Sequence, residues 1–160
     1  MSENGCKAWL LPVATDMNVA IGEFEMIHII SEHLHFHTIP HSPMYCNKIL
    51  YWQEQPLPVF DIHYYIKYQG GQNQENGGAC NFVCVVAYAS DQQEKIIQYG
   101  AISLNALPFK IDVTDDLACG YPHGEQSWGN IARSCFRYAE HGSTPIVDLQ
   151  KIYCTEPAAY

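Results

Sequence analysis

Basic residues are scarce in this chain: 8 Lys and Arg stand against 17 Asp and Glu among 160 residues, a formal net charge of -9 with histidine neutral. So acidic a surface repels phosphate backbones, and nucleic-acid binding is not expected. Long apolar runs are lacking too. No stretch approaches the roughly 20 apolar residues that cross a bilayer, so direct membrane insertion is not expected. The opening "MSENGCKAWLLPVATD" has an early acidic residue and an apolar run broken by Pro12, unlike a signal peptide. The expected location is the cytoplasm. There is no Gly-rich phosphate loop with its lysine, no serine elbow and no Cys/His pair at catalytic spacing. Neither enzymatic activity nor a cofactor is expected. The seven cysteines (Cys6, Cys46, Cys80, Cys84, Cys119, Cys135, Cys154) are odd in number and scattered, mostly among apolar neighbours. That pattern reads as buried reduced thiols, not a disulfide framework. Cys80 and Cys84 have three residues between them, and no second pair follows at zinc-ribbon spacing.

What is present is β-forming sequence. A chain of this length buries roughly 70% of the surface its unfolded form exposes, enough for one or two small cores. "AWLLPV" (8–13), "NVAIG" (18–22), "HLHFHTI" (33–39), "KILYW" (48–52), "PLPVF" (56–60), "NFVCVVAYA" (81–89) and "KIIQYGAISL" (95–104) are branched, aromatic or alternating, and predict strands. "QEQ" between Trp52 and Pro56 predicts a hairpin tip, without the Gly or Asn that a tight turn prefers. "GGQNQENGGA" (70–79) predicts a loop, since its glycines and polar residues offer nothing to pack. A second irregular stretch, "GYPHGEQSWGN" (120–130), precedes "IARSCFRYA" (131–139).

One phrase occurs twice: "PVFDIHYYI" at 58–66 and "PIVDLQKIY" at 145–153. Each copy places a short apolar strand before an aspartate at which the periodicity changes. Asp61 and Asp148 are therefore expected as helix N-caps, each carboxylate accepting a hydrogen bond from a free N–H of the first turn. Ile62, Tyr65 and Ile66 then recur at helical spacing, as do Leu149, Ile152 and Tyr153. Pro58 and Pro145 are expected to open their strands, a position where a missing N–H is tolerated at a sheet edge. Duplication of this kind points to a fold of two similar halves. The alternative, in which the two aspartates form an acid/base pair, needs both in one cleft, and nothing in the sequence places them there.

The order of features resembles the CheW-like domain of bacterial chemotaxis and twitching-motility arrays. The resemblance is carried by "IPHSPMYCNKILYWQEQPLPVFDIHYYI" (39–66), which is similar to the family segment ending in "PVxDL" and a short helix, and by the echo "TPIVDLQKIY". It continues more loosely through "AWLLPVATDMNVAIGEFEMIHII" and "FVCVVAYASDQQEKIIQYGAISLNALPFKIDV". The resemblance implies a mainly β fold of two small five-stranded β-barrel subdomains packed together, with short helices. The single domain would span 7–153, its lobes approximately 18–80 and 81–153, with the N-terminal strand crossing to the second lobe and 1–6 and 154–160 as flexible termini. The function it implies is that of a non-catalytic adaptor coupling a CheA-type histidine kinase, through its regulatory domain, to the cytoplasmic tip of chemoreceptors. The family usually carries Asn-x-Arg-Gly at the hairpin tip, where this chain has "YWQEQ": Gln53 takes the arginine position and Glu54 the glycine position. The arginine is associated in the family with receptor contact, and its loss removes charge-assisted bonds. An acidic tip selects a different partner by charge, which suits an auxiliary member, in a pilus-type or other array. The partner-binding residues expected are Trp52, Gln53, Glu54 and Gln55, with Trp52 the anchor.

The rival site is "HLHFH", in which His33, His35 and His37 fall two apart and would share one face of a strand. Imidazoles so arranged hold Zn, Ni or Cu. The plainer reading makes them solvent-facing positions opposite Leu34 and Phe36, because no acidic or cysteine ligand accompanies them at metal spacing. Such a row would also respond to pH near ~6.5. Three readings stay open at this point: an adaptor, a histidine-based metal-binding protein, and a β-rich domain holding a small ligand.

Overall fold

The computed structural model describes residues 5–68, 80–89, 96–122 and 125–154, so the 70–79 stretch and most of the two expected flexible termini lie outside the described residues. Among the described residues eleven strands form: β1 Gly5–Ala14, β2 Met17–Gly22, β3 Met26–Ile30, β4 Phe36–Thr38, β5 Lys48–Trp52, β6 Gln55–Phe60, β7 Phe82–Ala89, β8 Ile97–Leu104, β9 Phe109–Thr114, β10 Ala132–Tyr138 and β11 Gly142–Val147. Three short helices accompany them: α1 Ile62–Tyr68, α2 Glu125–Gly129 and α3 Leu149–Cys154. The strands make two sheets, one in the order β10-β11-β2-β1-β9 and one in the order β3-β7-β8-β6-β5-β4. The fold is mainly β, as expected. The first sheet, that of β3–β8, has six strands because the three-residue β4 adds to its edge by pairing with β5; the second is that of β9–β11 with β1 and β2.

The doubled phrase lies at equivalent places in separate sheets. Superposing Asp61 on Asp148 puts Val59 on Ile146, and these pair in parallel with Ala101 and Ala20 respectively. Moving outward, Ala101 pairs with Val85 and Ala20 with Leu10. Val85 then pairs with His28, and Leu10 with Phe109. In the other direction, Pro58 pairs with Ile49 and Pro145 with Cys135. Beyond them Leu50 meets Phe36, and Phe136 meets Ala118 in an isolated bridge. The two sheets thus repeat one pattern, residue by residue. One copy runs β3, β4, β5, β6, α1, β7, β8. The other runs β9, the Ala118 bridge, β10, β11, α3, and takes its last two strands, β1 and β2, from the N-terminus.

This arrangement differs from a division of the chain at 80/81. β7 and β8 belong with β3–β6, and β2 lies with β1 in the other sheet. The reason is the parallel pairing. A parallel neighbour must be reached by a crossover: β6 reaches β8 through α1 and β7, whereas no described strand follows β11, which pairs with β2 instead.

Three cores result. Leu50, Leu57, Val59, Val83, Val85 and Ala101 fill one sheet, and Ala8, Leu10, Ala20, Ile111, Val113 and Phe136 the other. The largest core lies between them and includes Leu11, Ile21, Phe60, Ile62, Tyr65, Cys84, Val86, Ile102, Trp128, Val147 and Leu149. β7 is buried on both faces, Val83 and Val85 toward one core and Cys84, Val86 and Tyr88 toward another. A strand covered on both sides reads as a continuous apolar run, which is why "FVCVVAYA" lacks alternation.

α1 and α3 each bridge to the other half. Asp61 Oδ1 accepts a hydrogen bond from the Tyr64 N–H at 2.9 Å, and Asp148 Oδ1 from the Gln150 N–H at 3.0 Å and the Lys151 N–H at 3.4 Å. These satisfy free donors of the first turn. α1 reaches the β1–β2 turn, where His63 and Lys67 lie 3.6 and 3.7 Å from the Asp16 carboxylate. α3 leans on the sheet of β7 and β8: the Gln150 side-chain amide donates to the Ala89 carbonyl at 2.8 Å, and the Tyr153 hydroxyl to the Ala101 carbonyl at 2.6 Å.

Candidate functional site

β5 and β6 are joined by a two-residue turn, with Trp52 paired to Gln55 across it. Gln53 and Glu54 both have left-handed backbone, φ 49° and 65°. Positive φ at both centres is the geometry of a type I′ turn, the hand that matches strand twist. It is also why glycine suits the second position: Glu54 occupies it at a strain cost. Replacing Gln53-Glu54 with Asn-Gly is expected to raise stability by about 1 kcal/mol, seen as a higher urea midpoint at unchanged m-value. An unchanged midpoint would mean that the turn carries no such strain.

Strand alternation sends Trp52 inward and Tyr51 outward. Trp52 is half-buried against the small core of its sheet, its ring centroid 5.7 Å from Tyr99 of β8 and 6.3 Å from His28 of β3. Since β3 and β5 are not neighbours in the sheet, these contacts mark where it curls round, and Trp52 caps the end of its interior. Gln53, Glu54 and Gln55 are exposed beside it. Tyr51 is 59% exposed and meets the His37 ring edge-on at 5.5 Å. On β8, Ile97 is 56% exposed and shares the face of Tyr99 two residues on. The four expected partner residues therefore stand together at one end of the first sheet, where an aromatic plug adjoins exposed Tyr51 and Ile97.

The sequence reading missed His28, Tyr99 and Ile97 as parts of this end. Tyr99 and Ile97 were legible as same-face residues of one strand, but their position beside the hairpin follows only from the β6–β8 pairing. The equivalent end of the second sheet is likewise aromatic. Tyr138 stacks on His141 at 5.6 Å, and Phe109 lies 5.8 Å from the same ring.

The histidine row is exposed but does not form one strand face. Only residues 36–38 of the 33–39 stretch are extended in the sheet, and His33, three residues before β4, adopts left-handed backbone at φ 56°. Leu34 and Phe36 pack inward against the small core, as the plainer reading holds. Among the described residues, no three His, Cys, Asp or Glu side chains are grouped to hold a metal ion. Nor do Asp61 and Asp148 share a cleft role: each is engaged in capping its own helix. Burial pushes the Cys84 thiol up to about 12 and the Cys46 thiol upward as well. Thiols so shifted stay protonated at neutral pH and are poor nucleophiles.

No protein-family model matches the sequence, and no curated protein matches it. Among solved structures, the chain is similar to the scaffolding protein TtCheW from Thermoanaerobacter tengcongensis, with a TM-score of 0.69 over 96% of this chain and 97% of that one, at 12% sequence identity. The chain has a CheW-like fold. At that identity the likeness is one of fold alone. No described helix is long and apolar enough to cross a membrane.

Proposed function

We propose that this protein is a non-catalytic adaptor of a chemosensory array, coupling a CheA-type histidine kinase to chemoreceptors through protein–protein contacts in the cytoplasm. The observation that supports this most is the likeness, over nearly the whole of both chains, to a protein described as a scaffold. The kinase regulatory domain of the CheA type resembles this fold, and the contact we envisage joins one barrel end to another. The end bearing Trp52, Gln53, Glu54 and Gln55 suits it: an aromatic plug beside exposed Tyr51 and Ile97 gives a rigid apolar centre, and the polar tip gives a rim.

Gln53 bears on the receptor. A neutral amide at the arginine position makes no charge-assisted bond, so receptor coupling is expected to be weak and kinase binding to be retained. The test is a pull-down from native lysate, followed by titration of the purified kinase regulatory domain against wild type, Trp52→Ala and Gln53→Arg. Trp52→Ala is expected to weaken kinase-domain binding about 10-fold or more, with its melting curve checked to show that it remains folded. Gln53→Arg is expected to gain receptor binding without changing kinase affinity. Recovery of neither partner, with both variants behaving as wild type, would remove this surface and this role together.

A further inference from the structure

The two sheets close by different means. In the first, β4 lies along β5 with three paired residues, Phe36, His37 and Thr38 against Leu50, Ile49 and Lys48. In the second, the backbone pairing described for the equivalent strap after β9 is the Ala118–Phe136 bridge and the hydrogen bond from the Cys119 N–H to the Cys135 carbonyl, 3.0 Å. By the register of the repeat, Cys119 stands where His37 stands and Cys135 where Ile49 stands. At this thin seam the two thiols face each other, Sγ to Sγ 3.6 Å. Both are free cysteines.

We propose that Cys119 and Cys135 form a reversible disulfide site that fastens the strap to β10 when the protein meets a peroxide oxidant. Directly opposed residues of an antiparallel pair have Cα atoms about 4.5–5.5 Å apart, inside the range that a disulfide spans, so the bond needs side-chain rotation and little backbone movement. The order of events follows from burial. Cys135 is buried and Cys119 half-buried, so Cys119 meets the oxidant first. Its sulfur attacks one peroxide oxygen of hydrogen peroxide, giving a sulfenic acid and one water. The Cys135 sulfur then displaces hydroxide from that sulfur, and the thiol proton leaves with the hydroxide as a second water. Two thiols and one peroxide thus become one disulfide and two waters, with the two sulfurs oxidised and the peroxide oxygens reduced. The Cys119 thiol is oriented by donating to the Ser143 Oγ at 3.6 Å. Burial, together with the Cys119 thiol beside it, pushes the Cys135 thiol up to about 12, so it stays a thiol toward free peroxide and attacks only the Cys119 sulfenic sulfur, which lies against it at 3.6 Å and whose leaving hydroxide takes the thiol proton.

The experiment treats the reduced full-length protein with hydrogen peroxide, blocks remaining thiols, and maps tryptic peptides without reduction. The expected product is the tetrapeptide Ser134–Arg137 linked to Ile111–Arg133, in a monomer 2 Da lighter. It should be reversed by dithiothreitol, abolished by Cys119→Ser and Cys135→Ser, and accompanied by a rise in Tm of about 5–10 °C. Cys119→Ser, at a half-exposed position, keeps the fold testable if Cys135→Ser does not. Oxidation confined to exposed Cys6 and Cys154, or Cys119 stopping at sulfinic acid with Cys135 still alkylated after unfolding, overturns the proposal.

Discussion

Replacing Trp128 with alanine is expected to destabilise the protein by about 3–5 kcal/mol, the range for deleting a buried aromatic side chain. Trp128 is 1% exposed and is the largest of the fully buried side chains. It packs in the core between the two sheets with Ile131, Ala132, Val147 and Leu149. Its backbone is equally engaged: the Trp128 carbonyl accepts from the Ile131 N–H at 3.0 Å, and the Ile131 carbonyl from the Asp148 N–H at 2.7 Å. The residue therefore ties the segment before β10 to the start of α3. A loss of this size lowers Tm by about 10–15 °C in a domain of this length. The measurement is thermal and urea unfolding followed by circular dichroism, since the substitution also removes a fluorophore. Trp128→Phe is expected to recover most of the loss. A cost below about 1 kcal/mol for the alanine variant would mean that the space between the sheets collapses freely, and that this core does not hold the halves together.

The second large effect is expected from adding one carbon. A Cβ built on Gly100 falls 2.5, 2.7 and 2.8 Å from the ring of Tyr153. Ring atoms at the end of a side chain ordinarily move aside, but this ring is held. The hydroxyl donates to the Ala101 carbonyl at 2.6 Å, Tyr88 stacks on the ring at 5.1 Å, and Phe60 lies at 6.4 Å. Burial pushes the phenol well above its ordinary value, so it remains a donor at neutral pH. Gly100→Ala is expected to cost about 2–3 kcal/mol, toward the upper end for overpacking a filled core. Tyr153→Leu in the same chain opens the space, and the double variant should be less destabilised than the sum of the single changes by about 1 kcal/mol or more. Strict additivity would show that helix and strand do not interlock at this point.

Both sites lie where the halves meet, and there the sequence was hardest to read. "QSWGN" looked irregular because α2 has only five residues, too few for a helical period to register. Gly100 within "KIIQYGAISL" carried no mark of its purpose, since a glycine in a strand signals a close approach without naming what approaches. β9 and β3 were also missed. β9 does alternate, with Ile111 and Val113 buried and Lys110 and Asp112 exposed, but it is short and follows a proline. β3 has no such signal, because a bulge between Met26 and His28 interrupts its pairing and leaves Ile27 exposed. The alternation over 33–39 predicts a longer strand than forms: β4 holds only Phe36–Thr38, and the left-handed backbone at His33 leaves no mark in the pattern.

Other elements were legible for clear reasons. β5 was read at both ends as observed, because branched and aromatic residues run from Lys48 to Trp52 and the turn follows at once. The change of periodicity at Asp61 and Asp148 marked two helix starts, since only a capping side chain and an i, i+3, i+4 pattern account for it. The candidate surface was half legible. The hairpin tip could be found from its turn and its aromatic neighbour; His28, Tyr99 and Ile97, which complete that end, come from strands distant in the chain.

By itself the sequence determined the class of local structure: which stretches are extended, where each of two helices is capped, and that one strand–aspartate–helix unit occurs twice. Those properties rest on interactions between residues a few positions apart, so they are written in short patterns. The tertiary structure alone decided that β1 and β2 complete the second copy of the unit, that α1 and α3 each bridge to the opposite half, and that Cys119 faces Cys135 across a thin seam. Such pairings join residues far apart in the chain, and many partners of similar size and polarity would satisfy the same local pattern. Only the simultaneous closure of both sheets around one shared core selects among them.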